Sequence, residues 1–213
     1  MLPIWNHYAN ENWFIIGYHA TSVIADAIAK KVGDFNIERA LKAAVNTANV
    51  HYFDGLGDYI DYKYVPDDKS HSSVSKTLEF AYNDWCIAQI ANKVRDTLIE
   101  NIFAKRSEYY NNVYDPSIGF MRPKLADGTF RNNFDPMNTH GQGFIEGNAW
   151  NYGLYVPQNI DKMISIMGGT EKFSKHLDSL FTMNIEEKYI AKHEDITRDG
   201  IIGNYVQGNE PGH

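Results

Sequence analysis

The chain has 213 residues, of which 43% are hydrophobic and 14% aromatic, so it can build a sizeable buried core. A formal net charge of -7 excludes a nucleic-acid-binding protein, because phosphate binding needs clustered Lys and Arg that this sequence lacks. The single cysteine, Cys86, excludes an intrachain disulfide, and no apolar run is long enough to span a membrane.

Helical spacing of apolar residues dominates the first third of the chain. The stretch from Trp13 to Val32 predicts a buried helix, or a short approach segment running into one. NIERALKAAVNTANV predicts a second helix with Asp34 or Asn36 as its N-cap. Residues 51–71 are rich in Gly, Asp and Tyr and predict a long, partly ordered connector.

The strongest helical pattern follows, in SSVSKTLEFAYNDWCIAQIANKV, where a Ser cap precedes apolar residues at three- and four-residue steps. A further helix is predicted over roughly residues 95–112, with Leu98, Ile102 and Tyr109 facing inward. Residues 115–143 lose this periodicity and predict a small hairpin or extended excursion with a turn at Asp127–Gly128.

Three more helical segments are predicted in the last third, from Glu146 to Tyr155, from Ile160 to Met167 and from Glu171 to Met183. Thr170 is the expected N-cap of the last one. The loops between the helices hold most of the Gly, Asp, Asn, His and aromatic residues. This division places function on loops at one end of a helical scaffold.

Glu146 is the first candidate for chemistry. It lies between glycines in FIEGNAWNYGLYVP, residues 144–157, with aromatic residues on both sides. A general acid is a carboxylic acid in a poorly solvated pocket, and the aromatic rings could supply both desolvation and stacking faces for a sugar. The alternative is that Glu146 caps a following helix at its positive end while the rings form core.

Two further groups carry weaker signals. His19 and Asp26 are seven residues apart, so they could share one helix face, although a hydrogen-bonded core histidine is the commoner case. The tail QGNEPGH groups Gln207, Asn209 and Glu210 with His213. Amide and carboxylate oxygens suit calcium, while the alternative for this tail is a surface turn. Zinc has little support, since no HExxH motif occurs.

Six segments taken in order resemble glycoside hydrolase family 92, which consists mostly of calcium-dependent, inverting exo-α-mannosidases. The resemblance covers nearly the whole chain. The segments are GYHATSVIADA (17–27), VSKTLEFAYNDWCIA (74–88), GFMRPKLADGTF (119–130), EGNAWNYGLYVP (146–157), MGGTEKFSKHLDSLF (167–181) and QGNEPGH (207–213).

The resemblance implies an all-α fold, a partial (α/α)6 barrel with the excursion near residues 115–143. Residues 1–213 would form one partial catalytic domain, which lacks an upstream β-sandwich and the C-terminal part of the barrel. Glu146 would be the general acid. His19, Asp26, Trp150 and His213 would bind or support the sugar. Asn209, Glu210 and Gln207 would be the positions for calcium.

This chain departs from the family pattern in two places. Asn151 stands where the family usually has Gln, and Gln158 and Asn159 follow Pro157 where the family has a VPHD-like step. The change from Asp to an amide removes a charge near the site. IAKKVGD, residues 28–34, replaces a more usual turn with tyrosine and glycine. These departures leave room for the specificity, or even the activity, of this chain to differ from that of most family members.

The length of the chain leads us to expect that it lacks the catalytic base. An inverting glycosidase needs a second carboxylate that activates water. The resemblance places that base in an Asp/Gly-rich segment downstream of GNEP, beyond His213. We therefore expect a fragment that is inactive by itself, and whose exposed helix faces favour self-association until the remainder of the domain covers them.

The expected function is thus part of an inverting, calcium-dependent exo-α-mannosidase that acts on mannose-containing oligosaccharides or glycans. Two alternatives stay open: a glycosidase or lyase of other specificity on an (α/α)6 scaffold, and a non-enzymatic helical module that binds carbohydrate. Location in the periplasm, at the cell surface or outside the cell is implied by the resemblance alone.

Overall fold

Helices dominate the computed structural model, which describes residues 1–3, 11, 14–139, 141–189 and 202–205. The helix-rich class expected from the sequence is confirmed, and within these ranges no helix has the length and apolarity needed to cross a membrane. The elements are α1 (Ala20–Lys30), α2 (Ile37–Thr47), α3 (Leu56–Tyr62), α4 (Ser73–Val94), α5 (Thr97–Arg106), β1 (Tyr114–Asp115), β2 (Phe120–Met121), α6 (Ile160–Ile166) and α7 (Thr170–Thr182), with short 3-10 turns at Tyr109–Val113, Tyr152–Leu154 and Glu187–Tyr189.

Helix α4 is the centre of the fold. It contacts α1, α2, α3 and α5, and most of its side chains are buried. Phe80 and Ile87 belong to a core cluster shared with α1, α2 and α5. Val74 and Leu78, nearer its N-terminus, belong to a second cluster shared with β2 and α6. One buried helix therefore joins both parts of the hydrophobic core.

A buried polar network ties α4 to its neighbours. The carboxylate of Asp84 on α4 is fully buried and accepts hydrogen bonds from the hydroxyls of Tyr18 at 2.6 Å and Tyr59 at 3.0 Å. Nε of Arg106, at the end of α5, donates to the same carboxylate at 2.9 Å. Because a buried charge is tolerated only when it is paired and hydrogen-bonded, these contacts fix α3, α5 and the approach to α1 against α4.

The excursion expected after α5 is present. Strands β1 and β2 pair in antiparallel fashion, and an ion pair of 2.8 Å between Arg122 and Asp115 holds the end of this hairpin. The predicted turn at Asp127–Gly128 is confirmed, since it lies between the bridged residues Lys124 and Phe130, and its glycine has a φ of 87°.

The observed N-termini of the helices agree only in part with those predicted from the sequence. The side chain of Asn36 accepts a hydrogen bond from the backbone N–H of Arg39 at 2.7 Å, so Asn36 is the N-cap of α2. For residues 14–32, the second alternative is the one observed, because a short non-helical approach with bends precedes α1. Ser72 precedes α4 in a left-handed conformation and makes no side-chain cap. Gly169, not Thr170, is the N-cap of α7.

Three predictions about elements were wrong. The connector over residues 51–71 contains the seven-residue helix α3. Residues 146–155 form turns and one 3-10 turn instead of an α-helix, because their asparagine side chains bond the backbone locally. Of the three residues expected to face inward, Leu98 is 69% and Ile102 45% exposed, whereas Tyr109 packs against the core cluster, and the buried residue of α5 is Phe103. Arg106, which pairs with the buried Asp84, is buried as Phe103 is.

Candidate active site

A pocket of about 450 Å³ lies where the segment after Glu146 meets α4 and α7. Two carboxyl side chains, a group of aromatic rings and aliphatic side chains share its wall. This mixture suits a sugar, whose hydroxyls need polar partners and whose ring faces pack on aromatic rings. Its lining residues are Glu79, Glu146, Asn151, Tyr152, Leu154, Tyr155, Leu177, Leu180, Phe181 and Tyr205.

Glu146 reaches this pocket with an exposed side chain and an unusual backbone. Its φ of 52° lies in the left-handed region, which costs roughly 1–2 kcal/mol for a residue with a Cβ. The alternative that Glu146 caps a following helix is wrong, because turns follow it. A strained carboxylate at a pocket is the kind of outlier that marks functional sites.

The chain before Glu146 is attached to the first turn of α4. The carbonyl of Gly143 accepts hydrogen bonds from the backbone N–H groups of Val74 at 2.9 Å and Ser75 at 3.2 Å. A Cβ on Gly143 would come within 2.6 Å of Pro123, so only glycine allows this close approach. The backbone N–H of Ile145 then donates to the Ser75 hydroxyl at 3.1 Å. The entry to Glu146 is thereby fixed.

The chain after Glu146 is held by two asparagines. The side-chain oxygen of Asn148 accepts from the backbone N–H of Trp150 at 3.0 Å. The side-chain oxygen of Asn151 accepts from the backbone N–H of Asn148 at 2.9 Å. A Cβ on Gly147 would lie 2.5 Å from that Asn151 oxygen. The Gly-Asn pattern of this segment is therefore a device for a tight turn that directs Glu146 into the pocket.

Glu79 is a second carboxyl in the pocket wall, and local sequence pattern hardly reveals it. It lies on α4, is 8% exposed, and its Oε1 accepts a hydrogen bond from the Tyr152 hydroxyl. Tyr155 also hydrogen-bonds this carboxyl. Burial raises the pKa of Glu79 to about 7, and the tyrosine hydrogen bonds act in the opposite direction. The one sequence signal was a Glu within the apolar run LEFA.

His19 lies behind Glu79. Asn83 accepts from the backbone N–H of Tyr18 with its Oδ1 at 2.7 Å, so its Nδ2 donates to Nδ1 of His19 at 3.0 Å. The proton of the neutral imidazole is then on Nε2, which lies 3.2 Å from Oε2 of Glu79. Burial lowers the pKa of His19, which keeps the ring neutral. The predicted site residue His19 thus contacts the pocket through Glu79.

Asp26 and Trp150 lie elsewhere. Asp26 is exposed on α1, where it pairs with Lys30 at 2.8 Å, and it is not among the residues that line the pocket. Trp150 stacks on His176 with ring centroids 4.5 Å apart and meets the edge of Phe120 at 4.9 Å. It therefore supports the Glu146 segment from the side of the hairpin and α7.

The proposed calcium residues Gln207, Asn209 and Glu210, together with His213, lie outside the described residues. In the part of the chain that the structure describes, no group of three or more His, Cys, Asp or Glu side chains could hold a metal ion. The structure brings Glu146 together with Glu79 and the tyrosines: Glu146 offers an exposed carboxyl to a sugar, while Glu79 is buried and bonded to the tyrosines of the pocket wall.

Comparisons with known proteins identify relatives in one family of glycoside hydrolases. The family model of the glycosyl hydrolase family 92 catalytic domain matches residues 1–213. A family 92 α-mannosidase from Bacteroides thetaiotaomicron, solved in complex with mannoimidazole, is 42% identical with a TM-score of 0.91 over 100% of this chain and 28% of its own. A family 92 inverting mannosidase from the same organism is 30% identical, with a TM-score of 0.79, over 90% of this chain and 27% of its own.

A curated relative from the fungus Arthroderma benhamiae is described as an uncharacterised secreted glycosidase. It is 27% identical over 79% of this chain and 27% of its own length. The chain thus covers only 27–28% of the length of each of these relatives.

Proposed function

Because the chain belongs to glycosyl hydrolase family 92, we propose that its full-length product is an exo-α-mannosidase in which Glu146 is the general acid. The observation that carries this proposal is the position of Glu146, exposed at the pocket on a left-handed backbone that glycines and asparagines hold in place. Family relatives that are described as mannosidases support the substrate class.

Glu146 would protonate the glycosidic oxygen as the bond to the leaving group breaks. General acid catalysis contributes about 10²–10⁴-fold to the rate when the acid lies within hydrogen-bond reach of the departing oxygen. The aromatic and aliphatic wall from Tyr152, Tyr155, Leu177 and Leu180 would exclude water from that oxygen. The pocket wall also offers ring faces on which a mannose residue can stack.

Inversion of configuration is the expected outcome. It requires a second carboxylate, about 6.5–9.5 Å from the acid, that activates water on the opposite face of the sugar. Glu79 does not suit that role, because its carboxyl is buried and receives hydrogen bonds from two tyrosines. We propose that the base comes from the remainder of the same catalytic domain, which would complete the (α/α)6 barrel around α4.

Calcium dependence is part of the proposal. Gln207, Asn209 and Glu210 would supply amide and carboxylate oxygens, the hard donors that calcium accepts. When bound, the ion would coordinate sugar hydroxyls and favour a distorted ring. Export to the periplasm, cell surface or medium is also proposed, with support from the secreted fungal relative.

The proposal is tested with the full-length product on a panel of aryl glycosides, assayed with and without a calcium chelator. We expect hydrolysis of α-mannosides alone, loss of that activity on chelation and its return on addition of calcium. Preferential hydrolysis of another sugar would instead indicate a glycosidase of different specificity. Carbohydrate binding without hydrolysis would indicate a binding module.

A further inference from the structure

Glu79 is a buried carboxyl that the proposed chemistry does not use. We propose that Glu79 is a positioning residue, which holds the segment from Glu146 to Tyr155 against α4 and so places Glu146 for proton donation. This inference rests on the proposed function for its catalytic consequence. Its structural content, that Glu79 immobilises the segment, stands by itself.

The geometry consists of two attachments on one face of α4. Ser75 and Glu79 are four residues apart, so their side chains lie one turn apart on the same side of the helix. The Ser75 hydroxyl accepts from the backbone N–H of Ile145, and Oε1 of Glu79 accepts from the Tyr152 hydroxyl. Glu146 lies in the chain between these two bonds. Its position therefore depends on both.

The platform for these attachments is rigid. Glu79 follows Leu78 and precedes Phe80, both fully buried in the two core clusters that α4 joins. The Ser75 attachment is close to the backbone and has no ionisable group. The Glu79 attachment is long, reaches the far end of a tyrosine and can change its charge. Of the two, the Glu79 attachment is the adjustable one.

The groups that face Glu79 determine its charge. His19 approaches Oε2 from the start of α1, Tyr152 and Tyr155 approach from the 3-10 turn, and Tyr82 lies on α4 itself. His19 is neutral, because burial lowers its pKa and Asn83 donates to Nδ1. Burial disfavours the carboxylate, and the hydrogen bonds from Tyr152 and Tyr155 favour it, so the pKa of Glu79 is raised to about 7. Glu146 lines the same pocket.

The charge of Glu79 affects how firmly the segment from Glu146 to Tyr155 is held against α4. Oε1 of Glu79 accepts from the Tyr152 hydroxyl, whereas Oε2, 3.2 Å from Nε2 of His19, has no hydrogen-bond partner among the described residues. An ionised carboxylate is a stronger acceptor for the tyrosine hydroxyl than a protonated carboxyl group. Protonation removes the negative charge of Glu79 and so weakens the attachment through the Tyr152 hydroxyl. We therefore expect the rate of glycoside cleavage to fall as the pH drops through about 7.

The first test compares the full-length product with Glu79→Gln. A displacement of about 1 Å at a catalytic group can cost on the order of 100-fold, so we expect a loss of that size in kcat with KM nearly unchanged. The acid limb of the pH profile near 7 should also disappear, because Gln does not titrate. If Glu79 served only the stability of the fold, Glu79→Gln would lower the amount of folded enzyme, and the acid limb of the pH profile would stay where it is in the wild type.

The second test is a double-mutant cycle. Tyr152→Phe removes the hydroxyl that donates to Glu79 and also a hydrogen bond that lowers its pKa, so the acid limb should move to higher pH. If Glu79 acts through Tyr152, the double variant should lose no more activity than the worse single variant. Tyr64→Phe is the matched control, since it removes a tyrosine hydroxyl bonded to the Leu125 carbonyl at 2.7 Å outside the pocket.

Amide hydrogen exchange of residues 143–155 supplies a readout that needs no activity. Faster exchange there in Glu79→Gln and Tyr152→Phe, but not in Tyr64→Phe, supports the positioning role even if the wild-type protein cleaves no mannoside, in which case only the proposed function fails. Wild-type exchange in both variants, or additive losses with an unchanged pH profile, would overturn the positioning role. If Glu79→Gln does not fold, Tyr152→Phe alone decides through the same readouts.

Discussion

Replacement of Arg106 by Leu should be among the most destabilising single changes in this fold. Arg106→Leu removes the cation from a carboxylate, Asp84, that is fully buried and then keeps only the hydroxyls of Tyr18 and Tyr59 as donors. Breaking a buried ion pair from one side costs about 3–5 kcal/mol, because the remaining charge stays out of water. Leu retains most of the apolar stem, so the change isolates the guanidinium.

Urea unfolding monitored by circular dichroism measures the effect. With a slope of about 3 kcal/mol per molar for a chain of this size, the midpoint should fall by about 1–2 M. Lys30→Leu is the matched control, because it breaks an ion pair with Asp26 whose side chains are 66% and 58% exposed. Exposed pairs contribute about 0–1 kcal/mol, so the control should move the midpoint by less than about 0.3 M.

A double variant checks the reason for the loss. Asp84→Asn combined with Arg106→Leu removes the uncompensated charge and leaves an acceptor for the tyrosine hydroxyls, so it should recover part of the stability. Equal shifts for Arg106→Leu and Lys30→Leu, or no recovery in the double variant, would refute the view that burial of Asp84 decides the energetics.

Three further predictions concern stability. Asn36→Ala should cost about 0.5–2 kcal/mol by thermal melting, whereas Asn36→Ser, which keeps a cap, should cost much less. Gly143→Ala should destabilise more than Gly128→Ala, because both glycines have positive φ but only the Cβ at 143 meets Pro123; equal urea midpoints would contradict this. Burial raises the pKa of Glu79 from 4.5 to about 7, so the folded state binds more protons between these values, and stability is full below about pH 4.5 and falls as the pH rises to about 7. Glu79→Gln should remove up to about 3 kcal/mol of that pH dependence in urea titrations, and an unchanged slope would contradict the buried position.

The sequence was sufficient for features that depend on local pattern. The apolar spacing of α4, the cap at Asn36 and the turn at Asp127–Gly128 each arise from residues within a few positions of one another. Such features follow from backbone hydrogen bonding and helical periodicity, which a single sequence displays. Glu146 lines a pocket, and its catalytic role, inferred from the same local information and the family resemblance, stays a prediction.

The sequence was insufficient where a distant partner decides. Leu98 and Ile102 were expected to face inward because they are apolar, but the buried face of α5 carries Arg106, whose partner Asp84 lies 22 positions earlier. Glu79 was missed for a similar reason, because its partner Tyr152 is 73 positions away. Charged residues in buried positions are recognisable only after the fold supplies their partners.

The central claim, that Glu146 is the general acid of an α-mannosidase, is tested most directly by the leaving-group dependence of Glu146→Gln in the full-length product. The variant should cleave natural mannosides about 10²–10⁴-fold more slowly. It should retain far more activity on an aryl mannoside such as the dinitrophenyl glycoside, whose leaving group needs no proton. Equal losses on both substrates, or wild-type release of mannose from the natural substrate, would contradict the assignment.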